Sequence, residues 1–154
     1  MTSKVQEYVQ NNMNLMCKKL TLTFALALCS FFGFSQNEGV NITVTIDNVK
    51  SDTGKVLLSL HTANTFMKGR GLMDAKSDIK DGKITVTFKN VKPGEYAILA
   101  VHDENENERM DFRENGMPKE SYGTSNNVMT FGPPQYGDAK FNVTNKNLEL
   151  SIRF

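Results

Sequence analysis

The sequence predicts an all-β protein, a single antiparallel β-sandwich of about seven strands. Three observations lead to this prediction. Apolar and polar residues alternate over short segments, and turn-forming residues separate these segments at the spacing typical of antiparallel sandwiches. No segment after residue 35 has a helical period of useful length. The chain has 154 residues, which is enough for one domain.

The first 35 residues have the composition of an export signal. Residues 16–19 are basic, residues 20–32 are apolar, and residues 33–35 offer small side chains at a cleavage point. The apolar run is shorter than the about 20 residues that a membrane-spanning helix needs. We therefore expect residues 1–35 to be an N-terminal extension and signal peptide. Residues 36–154 would then be a β-sandwich domain, exported to the periplasm or the cell exterior, with no transmembrane span.

The charge and cysteine content of the mature chain exclude two classes of function. Removal of residues 1–35 takes away three lysines, one glutamate and both cysteines, and leaves 15 basic and 16 acidic residues. With a net charge of −1 and no basic stripe, nucleic acid is not an expected partner. Without cysteine, the domain has neither disulfides nor thiol chemistry, and about 119 residues must be held together by burial, which suffices at that size.

Four strands are predicted before the centre of the domain, at residues 40–46, 55–61, 75–79 and 84–89. In the first, Val40, Ile42, Val44 and Ile46 alternate with polar residues, as in a half-buried strand. The first two strands are separated by a short turn, so we expect them to form a hairpin. The third is an edge strand, and Asp81-Gly82 predicts a hairpin turn after it.

The segment over residues 95–102 is the predicted central strand. Apolar residues stand at both the odd and the even positions of this segment, which indicates a strand that is covered on both faces. Lys92-Pro93-Gly94 before it predicts a type II turn, in which Gly94 would have a positive φ. We expect this strand to be a rigid anchor for the loop that begins at residue 103.

The remainder of the chain combines a long irregular segment with two further strands. Residues 115–138 are rich in Gly, Pro, Ser and Asn, and loops of this length in compact domains are usually functional or locally packed. A short strand is predicted within this segment at residues 128–130. Residues 139–143 and 148–154 alternate again and close the fold.

Oxygen-bearing side chains recur at fixed spacing directly after the central strand. They stand at positions 1, 3, 5, 9 and 12 of a calcium loop of the EF-hand kind: Asp103, Asn105, Asn107, Asp111 and Glu114. Ca²⁺ takes six to eight hard oxygen ligands, and a chain that wraps the ion presents side chains at alternate positions. Arg109, at position 7, would contribute its backbone carbonyl. The sequence therefore predicts an EF-hand-like Ca²⁺ site of weak to moderate affinity on a β scaffold.

Two features of this loop depart from the usual pattern. Position 6 is Glu108 instead of Gly, and a positive φ at such a residue costs roughly 1–2 kcal/mol. A strand, and not a helix, precedes Asp103. The alternative interpretation is a solvated acidic loop, since residues 103–114 contain six acidic residues and two arginines.

Other polar and aromatic residues suggest weaker hypotheses. His61 and His102 end two strands, and His102 with loop carboxylates or Glu120 would suit a hydrolase. Two histidines without a third fixed group are a weak signal, and a binding or structural module is favoured over an enzyme. Four aromatic residues follow the loop or lie in it, and they would either bind a carbohydrate or protein partner or plug the open end of the sandwich: Phe112, Tyr122, Phe131 and Tyr136.

The chain resembles DUF2141, a family of exported bacterial proteins known by a domain-of-unknown-function label, over about residues 40–154. The resemblance depends on several motifs together: Lys92-Pro93-Gly94-Glu95-Tyr96, residues 102–107 through Asp111, Gly116-Met117-Pro118-Lys119-Glu120, Tyr122-Gly123, Ser125-Asn126-Asn127 and Phe131-Gly132-Pro133-Pro134. It implies an exported domain without an assigned activity. Family members often carry Gly where Glu106 or Glu108 stands here. The Pro-Gly turn, strand and Asp-x-Asn-x-Asn loop are also similar to immunoglobulin-like or transthyretin-like sandwiches, at the level of fold alone.

Overall fold

The computed structural model describes residues 39–129 and 132–154, together with Gln10 and Met13. The proposed signal-peptide cleavage point lies outside the described residues and stays a prediction. A compact unit spans Glu38–Phe154 and contains every strand described below. Within the described residues, no helix is both long enough and apolar enough to cross a membrane.

The all-β prediction is confirmed, with eight strands in the described part of the chain. Their bounds are β1 Val40–Ile46, β2 Lys55–His61, β3 Met73–Asp78, β4 Ile84–Val91, β5 Gly94–Asp103, β6 Tyr122–Thr124, β7 Phe141–Val143 and β8 Leu148–Ser151. A single helical turn, α1, covers Tyr136–Ala139, and a 3-10 turn covers Ser125–Asn127.

The strands form two sheets. The first has the order β4-β1-β8, and the second has the order β3-β2-β5-β6, with β7 paired to the first residues of β5. The pairs are antiparallel except for β1 and β8, which run parallel. Strand β5 lies inside the second sheet, and β3 lies at its edge as predicted.

Two hairpin predictions need correction. Strands β1 and β2 do not pair with each other, since β1 pairs with β4 and β8 while β2 pairs with β3 and β5. The Asp81-Gly82 turn forms, with φ of 52° and 69°, and is closed by a bridge between Lys80 and Lys83. Beyond that bridge β3 and β4 enter different sheets. Alternation specifies which face of a strand is buried but not which strand becomes its neighbour.

The main core lies between the two sheets and is built from the faces that the alternation predicts. All four apolar residues of β1 are buried, and Val56, Leu58 and Leu60 of β2 face them. Strand β5 is covered on both faces, as predicted. Its Ile98 and Ala100 enter the main core, whereas Ala97 packs in a second cluster.

Two local predictions are wrong. Gly94 does not have a positive φ. In this connection between two strands, Asn90 has the left-handed conformation, with a φ of 59°. Asparagine tolerates this conformation, and its Oδ1 accepts the N–H of Gly39 at 2.9 Å. The strand predicted at residues 128–130 is absent at Val128 and Met129, and Thr130 lies outside the described residues.

Candidate metal-binding site

The candidate site begins at the last residue of β5. Asp103 pairs with Lys55 of β2, and its side chain is only 1 % exposed. The turn before β2 closes over it, because a Cβ on Gly54, which has a φ of +72°, would lie 2.1 Å from the Asp103 carbonyl oxygen. The first residue of the predicted loop is therefore fixed by the sheet.

The Asp103 carboxylate bends the chain around itself. Its Oδ1 accepts the backbone N–H of Asn107 at 3.1 Å, and its Oδ2 accepts that of Glu108 at 2.8 Å. Glu108 has a φ of 62°, so the left-handed turn expected at position 6 is present without glycine. Glu106 is left-handed as well, at 57°.

Two predicted ligand side chains converge on an oxygen of a third. The Nδ2 groups of Asn105 and Asn107 donate to Oδ2 of Asp111 at 2.8 and 3.0 Å. The hydrogen bond from Asn105 is the largest cause that lowers the pKa of Asp111. Burial opposes it, and the hydrogen bond from Asn107 and the charge of Arg109 lower the pKa further. The Oδ1 atoms of the two asparagines accept the backbone N–H groups two residues further on, at 3.2 and 3.0 Å.

Glu120 is the residue at this site that the linear pattern misses. It is 7 % exposed, and its Oε1 accepts the N–H of Glu104 at 3.2 Å while its Oε2 accepts that of Asp111 at 3.0 Å. One carboxylate thus joins the two ends of the loop. The spacing of residues along the sequence does not predict whether a glutamate in a polar segment is buried or exposed.

Glu114 is separated from the other predicted ligands. Residues 111–119 form a small hairpin, closed by a bridge between Phe112 and Pro118, and Glu114 lies exposed in its tip. The other predicted position, Arg109, lies in the loop itself, with its Nε 3.7 Å from Asp111 Oδ1. The structure therefore brings together Asp103, Asn105, Asn107 and Asp111, but not Glu114.

Lysines of the neighbouring strands balance part of the loop's negative charge. Lys55 of β2 lies 3.7 Å from Glu106, and Lys76 of β3 pairs with Glu108. The pair with Glu108 raises the pKa of Lys76 and lowers the pKa of Glu108. Both side chains are more than half exposed, so the pair contributes little to stability.

His102, the candidate base, is inside the sandwich. It is fully buried, its Nε2 donates to the carbonyl of Thr53 at 2.8 Å, and its ring stacks on Phe154 at a centroid distance of 6.3 Å. Its Nδ1 has no hydrogen-bond partner and lies 3.6 Å from Glu104 Oε1. A substrate cannot reach this imidazole in the conformation described, so the hydrolase hypothesis gains no support.

The aromatic residues do not form one platform among the described residues. Tyr136 donates to the carbonyl of Glu95 at 3.0 Å and packs edge-on against Phe66, so it plugs the fold. Phe112 is 57 % exposed on the small hairpin, and Tyr122 is half-buried in β6. Phe131 lies outside the described residues.

Comparison with known proteins gives a family but no activity. The model of the family described as "Uncharacterized protein conserved in bacteria (DUF2141)" matches residues 44–151. No protein of curated function matches the chain.

Two solved structures of a pilus-presented adhesin, Spy0125 (Cpa), are similar at 14 % identity. One covers 77 % of this chain with a TM-score of 0.26, and the other, a cysteine-to-alanine mutant, covers 75 % with a TM-score of 0.23. This chain spans about a quarter of the adhesin's length, 27 % and 26 %. Similarity of this size gives no basis for transferring the adhesin's role.

Proposed function

The chain belongs to the DUF2141 family, and we propose that it is an exported β-sandwich module that binds Ca²⁺ through residues 103–114. The observation that carries the proposal is the convergence of Asn105 and Asn107 on one carboxylate oxygen of Asp111. Carboxylate and amide groups are the ligands that Ca²⁺ prefers. A solvated acidic loop does not require three polar side chains to meet at one point.

The ligand set follows from the same contacts. One oxygen each from Asp103, Asn105, Asn107 and Asp111 and the carbonyl of Arg109 would give five protein ligands, and water would complete the six to eight that Ca²⁺ takes. Both asparagine amides would turn over, so that Oδ1 replaces the Nδ2 that now faces Asp111. Among the described residues, no group of three or more His, Cys, Asp or Glu can hold a metal, so the amides are essential to this set.

Glu120 would support the site and not ligate the ion. It lies outside the calcium-loop positions, and its two oxygens hold residues 104 and 111 together by accepting their backbone N–H groups. Glu114 lies at the tip of the hairpin of residues 111–119, and it would join the ligands only if this hairpin folded back onto the loop. With three carboxylates at most, the affinity should fall in the weak range of extracellular modules, about 10⁻⁴ to 10⁻³ M.

The role of the ion would be structural. It would hold the end of β5 against residues 104–111 and, through Asp111, order the segment of residues 115–138. Saturation at about 100 times Kd would stabilise the folded state by roughly 2.7 kcal/mol. In an exported protein, millimolar calcium outside the cell would keep the clamp closed.

Calcium titration calorimetry and thermal unfolding, in EDTA and in millimolar Ca²⁺, test the proposal. We expect measurable heat and a higher unfolding midpoint with calcium, and we expect Asp111→Asn to abolish both. Asp47→Asn is the matched control, since Asp47 is exposed and lies outside the loop. Equal midpoints in EDTA and calcium, with no heat of binding, would remove calcium from the function of this protein.

A further inference from the structure

The described residues line a cavity of about 460 Å³ at one edge of the sandwich, away from the loop. One wall is the whole of β6, and a second is formed by Arg153 and Phe154, which follow β8. The remaining lining includes Val128, Met129 and Asp138. The cavity therefore lies along β6, whose Tyr122 is half-buried and whose Gly123 and Thr124 are buried.

The backbone of β6 faces this cavity with unused hydrogen-bonding groups. Strand β6 pairs with β5 in antiparallel register, and the N–H of His102 donates to the carbonyl of Ser121. Bonded and non-bonded pairs alternate along such a ladder, so Tyr122 and Thr124 direct their N–H and C=O groups away from β5. The Thr124 C=O already accepts the first hydrogen bond of the 3-10 turn at Ser125–Asn127. Within the part of the chain that the structure describes, the N–H and C=O of Tyr122 and the N–H of Thr124 have no hydrogen-bond partner.

We propose that this cavity accepts an extended peptide segment, which adds to the second sheet as a strand beside β6. Each strand residue rises about 3.3 Å. The three residues of β6 therefore offer an edge about 10 Å long, enough to pair with about three residues of a peptide. Main-chain pairing with the free edge of a sheet is an established mode of peptide recognition.

The side chains of the lining define the chemistry of the peptide. Arg153 and Asp138 are exposed, carry opposite charges, and have no ion-pair partner among the described residues. Met129 is 98 % exposed and Val128 is 45 % exposed. The complementary segment carries one acidic and one basic side chain with an apolar residue between them.

A saccharide fits this cavity less well. Recognition of hydroxyl groups depends on free amide and carboxylate side chains. The lining offers Gln135 and Asp138 for this, but both of its asparagines are engaged. Asn48 exchanges two hydrogen bonds with the backbone of Phe154, at 2.9 and 3.2 Å. Asn127 donates to Ser151 O and accepts from Arg153 N, each at 2.8 Å. One face of the Phe154 ring is stacked on His102.

Binding of two capped pentapeptides to the purified protein tests the inference. The first alternates valine and threonine between a terminal lysine and a terminal glutamate, and the second has the same sequence with its central amides N-methylated. We expect the first to bind and the second to bind at least about tenfold more weakly, since each lost backbone hydrogen bond approaches that factor.

Charge variants make the test specific to this edge. Arg153→Glu should weaken binding of the first peptide several-fold, whereas Lys146→Glu, the same change at an exposed site after β7, should not. Equal affinity for the methylated peptide, no effect of Arg153→Glu, no peptide binding at millimolar concentration, or displacement of the peptide by a neutral oligosaccharide would each overturn the inference. The titrations are run both in EDTA and in Ca²⁺, so that peptide binding is tested separately from calcium binding.

Discussion

Glu108 shows at the scale of one residue how a sequence pattern fixes backbone geometry. The calcium-loop spacing predicts a left-handed turn at position 6, and Glu108 has a φ of 62°. Its N–H donates to Asp103 Oδ2, so the carboxylate holds the strained conformation. A non-glycine residue in this region costs roughly 1–2 kcal/mol, which the loop's hydrogen bonds must offset.

Glu108→Gly should therefore stabilise the protein. We expect an increase of about 1 kcal/mol in the free energy of unfolding, because glycine adopts positive φ without steric cost. The substitution also removes the pair with Lys76, which is exposed and contributes little. Urea unfolding in EDTA measures the change.

Glu108→Ala is the matched control for that measurement. It removes the same pair but keeps a Cβ, so it should leave stability unchanged or slightly lower. If the alanine and glycine variants unfolded at the same urea concentration, any stability change in Glu108→Gly would not come from the relief of backbone strain.

At the scale of elements, the sequence predicts the content of each strand better than its partners. The alternation at Val40, Ile42 and Val44 identifies the buried face of β1 correctly, and the apolar run of β5 correctly indicates two covered faces. The hairpin of β1 with β2 is wrong because a short connection does not compel pairing. Linear spacing cannot identify Glu120 as a loop residue, because its contacts to residues 104 and 111 come from tertiary folding.

The end of β2 should make stability depend on pH through His61. This residue is 2 % exposed, contacts Thr65 Oγ1 at 3.3 Å and packs edge-on against Phe66. Burial lowers the pKa of His61, and the opposing effects of Thr65 and Asp74 are smaller. The unfolded chain, with a histidine pKa of about 6.5, then binds the proton more readily than the folded protein.

Stability should accordingly fall as the pH decreases from above about 6.5 towards the lower pKa of the folded state. The contribution of His61 is constant above this window. Urea unfolding at about pH 7.5 and about pH 5.5 measures the loss, and His61→Gln should make it smaller. An identical loss in the variant would assign the pH dependence to other groups.

At the scale of the whole molecule, the two sheets approach each other closely where β6 passes the end of β8. A Cβ on Gly123 would lie 2.2 Å from the Arg153 carbonyl oxygen and 2.8 Å from Cγ2 of Ile152. The closest contact is with backbone, which cannot move aside as a flexible side chain can. No linear signal marks Gly123 as a point of close approach, since its partners are some thirty residues away.

Gly123→Ala should therefore separate the two sheets at this edge and lower the free energy of unfolding by about 1–3 kcal/mol, the usual cost of overpacking. Gly137→Ala is the matched control, since a Cβ on Gly137, which belongs to α1, would meet no atom within 4 Å beyond its own helix and chain neighbours. There alanine favours the helix and should leave stability unchanged or raise it by up to about 1 kcal/mol. Because β6 also forms a wall of the cavity, Gly123→Ala should weaken peptide binding while Gly137→Ala should not. Wild-type stability in Gly123→Ala would mean that the sheets do not meet this closely in solution.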